Sequence, residues 1–223
     1  MKTVIGEILP LALVVTVSPI NIIAGILLLF SKRPLTNAAA YLVGFTVGVA
    51  GLLAALIAIA GALDLHGHSN RARGGGGLVL VLGVVLLVMG FRRFRKRPRH
   101  GETSPRPKWM AGIEDFSPGK SLGTGVVVGV ANPKNLVVAV AAAVTVATAG
   151  LSAGQQVVVG VVYVVVAILG VAAPLVVAVS LGQRSHDVLE SWKTWLDQNN
   201  ATVMALLFVI FGVVLIGKGI GGV

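Results

Sequence analysis

Six long apolar runs, separated by short polar connections, leave this chain little choice of solvent. They cover approximately residues 4–30, 38–62, 75–94, 121–149, 155–181 and 201–221. A helix that crosses a bilayer needs roughly 20 mostly apolar residues, and each run reaches that length. Charged residues make up 12% of the sequence, half of the roughly 25% found in soluble domains. So few charges cannot clothe a surface facing water, so lipid must cover it. The reading is an all-α integral membrane protein of six transmembrane helices, with one membrane domain over residues 1–223. The first run follows Lys2 as a signal peptide would. It continues to about Phe30, however, contains Glu7 and lacks an A-x-A site, so it reads as a retained span.

Two of the runs are interrupted by the same short polar motif. Ser18-Pro19-Ile20-Asn21 lies in the first and Asn132-Pro133-Lys134-Asn135 in the fourth. Proline has no N–H to donate, and its ring collides with the carbonyl four residues back, so each copy breaks or kinks its helix. Pro19 frees the carbonyl of Val15, and Pro133 frees that of Gly129. In hydrocarbon a free backbone group costs several kcal/mol unless something satisfies it. Ser18, Asn21, Asn132 and Asn135 are placed to do so, and repair of two kinks is the plainer reading. Breaks that recur at matching places in two halves are also the sequence signature of a transporter's central site. On that reading Ser18, Pro19, Asn21, Asn132, Pro133, Lys134 and Asn135 form a substrate-binding site.

Lys134 is the sharper clue. It lies about 13 residues into its span, roughly 20 Å along a helix, too deep for its stem to reach either interface. A lysine at a span centre costs about 2.5–3.5 kcal/mol on insertion scales, so it must face the bundle interior or a wet cavity. There it meets an anionic substrate group or sits uncharged. Glu7, the only acid embedded in a span, lies about eleven residues before Ser18, too far along the helix for a direct pair. It is a candidate proton carrier, although an interfacial acid near a helix start is the simpler reading. Lys218 is expected to snorkel outward, and Pro174 to be a packing kink. The Gly44/Gly48 pair in span two permits close helix approach.

The two halves look related. Besides the broken motif, Gly83-Val84-Val85-Leu86 in span three recurs as Gly212-Val213-Val214-Leu215 in span six. Three spans per half is an odd number, so the halves insert in opposite directions, as two inverted three-helix repeats with broken helices one and four. Repeat one is residues 1–94, a basic cytoplasmic linker is 95–120, and repeat two is 121–223. Connections 1–2, 3–4 and 5–6 hold thirteen of the 18 Lys and Arg residues; the opposite side holds four, and Lys134 is the remainder. The rich side is cytoplasmic. The expected topology is therefore multi-pass, with both termini outside.

The stretch Arg92–Lys108 carries eight basic residues and one acid. Beside a span this is a topology anchor on anionic lipid headgroups, not a nucleic-acid site. Trp109, Met110, Ile113 and Phe116, and later Val188, Leu189, Trp192, Trp195 and Leu196, recur at helical spacing. Each set reads as a helix lying in the interface. Asp64, His66 and His68 lack a fourth ligand and read as a solvated loop, not a metal site. There are no cysteines, which excludes thiol redox relays and thiolate metal sites. No cofactor motif, nucleotide-binding motif or catalytic set is present in the spans, so no enzyme is expected.

The segment from Trp109 through Ser117-Pro118-Gly119-Lys120 to Asn132-Pro133-Lys134-Asn135-Leu136 resembles the glycolipid-addressing protein family of actinobacteria, within the lysine-exporter superfamily. Trp195-Leu196 to Asn199-Asn200-Ala201 and the Gly217-Lys218-Gly219 ending fit as well. The resemblance covers essentially the whole chain. It implies a six-span protein of the bacterial cytoplasmic (inner) membrane, a homodimer, that exports or helps translocate envelope lipids through a polar site near the two prolines. Amino-acid exporters of the superfamily usually show P-G-P in the first span, where Ser18-Pro19-Ile20-Asn21 stands here. The leading expectation is a secondary transporter or flippase-like exporter of an anionic or glycosylated envelope lipid. The alternatives are export of a small solute, an amino acid or a cation, and a non-transport scaffold for a lipid-synthesis partner.

Overall fold

Proline and the residue before it decide where the central helices stop. The computed structural model describes residues 1–62, 69–95, 110 and 112–221, all helix or short connection with no strand among them. Helix α1 (Lys2–Thr16) gives way to α2 (Pro19–Leu29) through a bend of 53°. Helix α5 (Pro118–Ala131) gives way to α6 (Pro133–Thr148) through a bend of 60°. In each pair the proline is the first helical residue and the residue before it, Ser18 or Asn132, is extended. Both are the conformations that an X-Pro step imposes. The two sequence motifs therefore mark true interruptions between half-helices.

Four longer helices surround these pairs: α3 (Pro34–Ala62), α4 (Ser69–Arg95), α7 (Ala153–Leu181) and α8 (Ser185–Gly221). The half-helices hold the centre, for nine of the eleven residues of α2 and ten of the sixteen of α6 are buried. The long helices expose Val43, Val47, Val81, Val88, Val161, Val165, Val213 and others like them. A helix that is apolar on both its inner and outer faces belongs in lipid. By length and apolarity Pro34–Ala62, Gly76–Arg95 and the stretch Ala153–Gly221 can cross a membrane, and counting each bent pair gives up to five spans. The expected six is reached only by dividing Ala153–Gly221 at the Gly182–Arg184 turn, where Gly182 has φ +52°.

Packing follows a paired pattern. Helix α1 lies on α7 and α5 on α3; α2 lies on α8 and α6 on α4; α4 and α8 lie on each other. Small residues set the separations. A Cβ at Gly44 would come within 2.0 Å of the Leu122 carbonyl oxygen on α5, and one at Gly170 within 2.0 Å of the Thr16 carbonyl oxygen on α1. The Gly44/Gly48 pair thus packs within the molecule. The Gly83 and Gly212 runs cross each other, each glycine's would-be Cβ lying 2.9–3.0 Å from the other's carbonyl oxygen.

Two expectations are corrected. The stretch 109–116 is not a helix in the interface where it is described. Its described residues include the 3-10 turn Ile113–Asp115, entered through Gly112 at φ +69°, with Met110 and Ile113 buried against protein. Left-handed backbone at Gly112 cannot continue a right-handed helix. The later stretch is helical, but it runs straight into span six as the first part of the 37-residue α8, because no Gly or Pro interrupts it before Gly212. There Leu189 is buried, while Trp192 and Trp195 are exposed. Asp64, His66, His68, Trp109 and most of the basic stretch lie outside the described residues.

Candidate functional site

The two breaks share a motif but bond differently. At the second, the Asn132 side chain caps α6 by accepting the Lys134 N–H at 3.1 Å. Asn135 turns back and donates its amide to the Gly129 and Val128 carbonyls at 3.2 and 3.4 Å. Gly129 is the carbonyl that Pro133 leaves without its helical donor, so the local repair read from the sequence is present. At the first break Ser18 makes no side-chain cap. Asn21 is fully buried, yet neither its amide nitrogen nor its oxygen has a partner among the described residues. The expected repair of Val15 by Asn21 is therefore absent. A buried amide left unpaired costs about 1–3 kcal/mol.

Lys134 is 1% exposed. Its Nζ crosses to the other broken helix and donates to the Val14 carbonyl at 2.5 Å. That carbonyl is available because the chain turns after α1: the Ser18 N–H, its helical donor, bonds to Thr16 instead at 3.0 Å. The geometry is electrostatically sound. In the first turn of α6 the macrodipole disfavours a cation, whereas the last turn of α1 is a negative helix end, an effect of up to about 2 kcal/mol in partly buried sites. The sequence reading placed Lys134 inside correctly but did not foresee a backbone partner. Thr16, not singled out from the sequence, donates its hydroxyl to the Val166 carbonyl of α7 at 2.5 Å. The end of α1 is thus fixed by α6 and by α7.

A cavity of about 420 Å³ lies beside both breaks. Asn21 of α2, Arg93 of α4, Thr124 of α5, and Asn132 and Pro133 at the second break line it, with Ile20 and small apolar residues of α5 filling the rest. Lys134 and Asn135 are not among its lining residues. Ser18 is buried close by in sequence, and its carbonyl accepts the N–H groups of Asn21 and Ile22 at 3.0 and 3.1 Å. Arg93 and Thr124 were missed by sequence reasoning. Arg93 counted there only as a topology charge, although its position in the last turn of span three put it within reach of the interior.

Glu7 is tied to the far end of the chain. Lys218 Nζ donates to the Glu7 carbonyl at 2.9 Å and lies 3.4 Å from its carboxylate. Lys218 therefore folds onto α1 instead of snorkelling away, and Glu7 does not line the cavity. On the connections, Asn37 is buried and donates to Ser31 Oγ and to the Phe116 carbonyl, both at 2.8 Å. Lys32 and Asp115 pair nearby at 2.9 Å. Their hydrogen bond and charges raise the Lys32 pKa and lower that of Asp115, both groups being fully exposed. No group of three or more potential metal ligands occurs among the described residues.

Fold and site together define a helical membrane protein whose core is two interrupted helices clasped by a buried lysine. The family model for Sap, the sulfolipid-1-addressing protein, matches residues 8–221, so the chain belongs to that family, with a role in lipid addressing. No curated protein and no solved structure gives a match.

Proposed function

We propose that this chain moves an anionic or glycosylated lipid across the membrane, as a secondary transporter or flippase-like exporter of six spans. The observation that carries the reading is the cavity lined from both breaks at once, by Asn21 on one side and by Asn132 and Pro133 on the other. Interrupted helices whose ends meet at a shared hollow are how carriers build a site without a dedicated pocket. The paired packing supports two inverted repeats, since α1 on α7 matches α5 on α3, and α2 on α8 matches α6 on α4. Dividing Ala153–Gly221 at Gly182 gives the sixth span. The cavity wall is largely apolar, as a lipid route requires, and no acid lines it among the described residues, which disfavours a cation as cargo. A fluorescent-headgroup lipid in proteoliposomes tests the reading. The intact protein should expose inner-leaflet lipid to a membrane-impermeant quencher, and the double variant Asn132→Ala, Asn135→Leu should slow this to the protein-free rate. Equal rates with and without the intact protein would overturn it.

A further inference from the structure

The charge that reads a cargo in this cavity is not the buried lysine, whose ammonium is engaged elsewhere. From Arg93 and Asn21 we infer that the cavity binds the oxyanion of a phosphate or sulfate ester, with Lys134 serving only as the clasp between the two broken helices. This rests on the export reading for the identity of the cargo, but not for the presence of the anion site.

Four observations converge. Arg93, exposed at the end of α4, lines the cavity and makes no ion pair or hydrogen bond among the described residues. A guanidinium presents a planar fork of donors that matches two oxygens of an ester oxyanion. Asn21, fully buried and without a partner for either amide atom, lines the same cavity and offers a further donor. The N-terminal ends of α2 and α6, at Ile20–Asn21 and Asn132–Pro133, meet there. Such ends carry partial positive charge and favour anions. Finally, no Asp or Glu is among the described residues that line the cavity and could compete for the guanidinium. The remaining wall, with Ile20, Val127, Val128 and Ala131, is apolar and suits the carbon adjoining a headgroup.

The shared chemistry is the oxyanion, and it could arrive on a lipid or free in solution. The test uses the full chain purified into nanodiscs. Native mass spectrometry measures retained phosphatidic acid against retained diacylglycerol, and equilibrium dialysis measures inorganic phosphate and sulfate. The variants are Arg93→Gln, Arg93→Lys and Asn21→Ala, with Arg33→Gln as a control of equal charge change on an exposed connection. Melting temperature and elution profile confirm folding for each. Arg93→Gln should weaken phosphatidic acid retention by at least about tenfold, as expected for one charge-assisted contact. Arg93→Lys should restore part of it, Asn21→Ala should weaken it by a smaller factor, and Arg33→Gln should leave it unchanged. Equal retention of phosphatidic acid and diacylglycerol, or a loss in Arg33→Gln as large as in Arg93→Gln, would overturn the inference. Tight binding of inorganic phosphate or sulfate that Arg93→Gln abolishes, without lipid retention, would uphold the anion site and count against lipid as cargo. Lipid movement that persists in a folded Arg93→Gln variant with undiminished retention would overturn the anion site and leave the export reading standing.

Discussion

The break after α1 and the break after α5 begin from four-residue motifs that share their proline and final asparagine, and they end in different states. The second is self-sufficient: Asn132 caps the helix that follows, and Asn135 bonds the carbonyls that Pro133 exposes. The first relies on distant helices. Lys134 takes the Val14 carbonyl, Thr16 bonds to α7, and the Asn21 side chain has no partner among the described residues. A local motif can repair its own backbone, or it can be completed by the rest of the fold; here the first kind leaves one side-chain atom, Asn135 Oδ1, without a partner among the described residues, and the second leaves both polar atoms of Asn21.

The comparison can be broken most severely at the close contact that seats the first break. Gly170→Val would drive side-chain atoms into the Thr16 carbonyl, which a Cβ would already approach to 2.0 Å. Overpacking against backbone costs about 1–3 kcal/mol or more. The expected result is loss of monodisperse protein by size-exclusion chromatography. Next, Lys134→Met leaves the Val14 carbonyl without its donor. A lower melting temperature is expected, by several degrees, together with at least a tenfold fall in lipid movement. Unchanged values for both would show the clasp to be dispensable.

A subtler pair sharpens the contrast. Asn135→Leu removes two bonds to carbonyls and should destabilise by about 1–3 kcal/mol. Asn21→Leu removes none and should leave thermal stability unchanged or slightly raised in the ligand-free protein. Equal losses in denaturation would mean that the two breaks are equivalent after all. The smallest effect is expected far from both. The Lys32–Asp115 pair favours the folded state only between the depressed Asp115 pKa and the raised Lys32 pKa. It is lost as pH falls through the first or rises through the second. Both groups are fully exposed, so Asp115→Asn should leave the melting temperature at neutral pH unchanged. Titration by NMR should show the Lys32 pKa falling back.

Much of this was legible in the residues. Each apolar run became helix, and Pro19 and Pro133 placed the breaks, because the geometry of proline is local. The burial of Lys134 followed from its depth. Its partner did not, since a backbone carbonyl has no letter in a sequence, and only the turn after α1 makes that of Val14 available. One signal was overlooked. Tyr41 and Gly48-Val49 in α3 share their spacing with Tyr163 and Gly170-Val171 in α7, and all six residues are buried. That repeat would have supported related halves better than the Gly-Val-Val-Leu runs. The two amphipathic stretches show the limit of periodicity, for apolar spacing alone could not tell a turn at Gly112 from a helix, or a separate helix from the start of α8.

The length of α8 has a mechanical consequence. At 1.5 Å per residue its 37 residues form a rod of about 55 Å, against a hydrocarbon layer of about 30 Å. The surplus, with Trp192 and Trp195 on its exposed side, is an outrigger continuous with the membrane-embedded part. A 10° change in tilt would swing its tip by roughly 4 Å over an arm of about 25 Å, so any rocking of the core is broadcast to whatever the tryptophans touch.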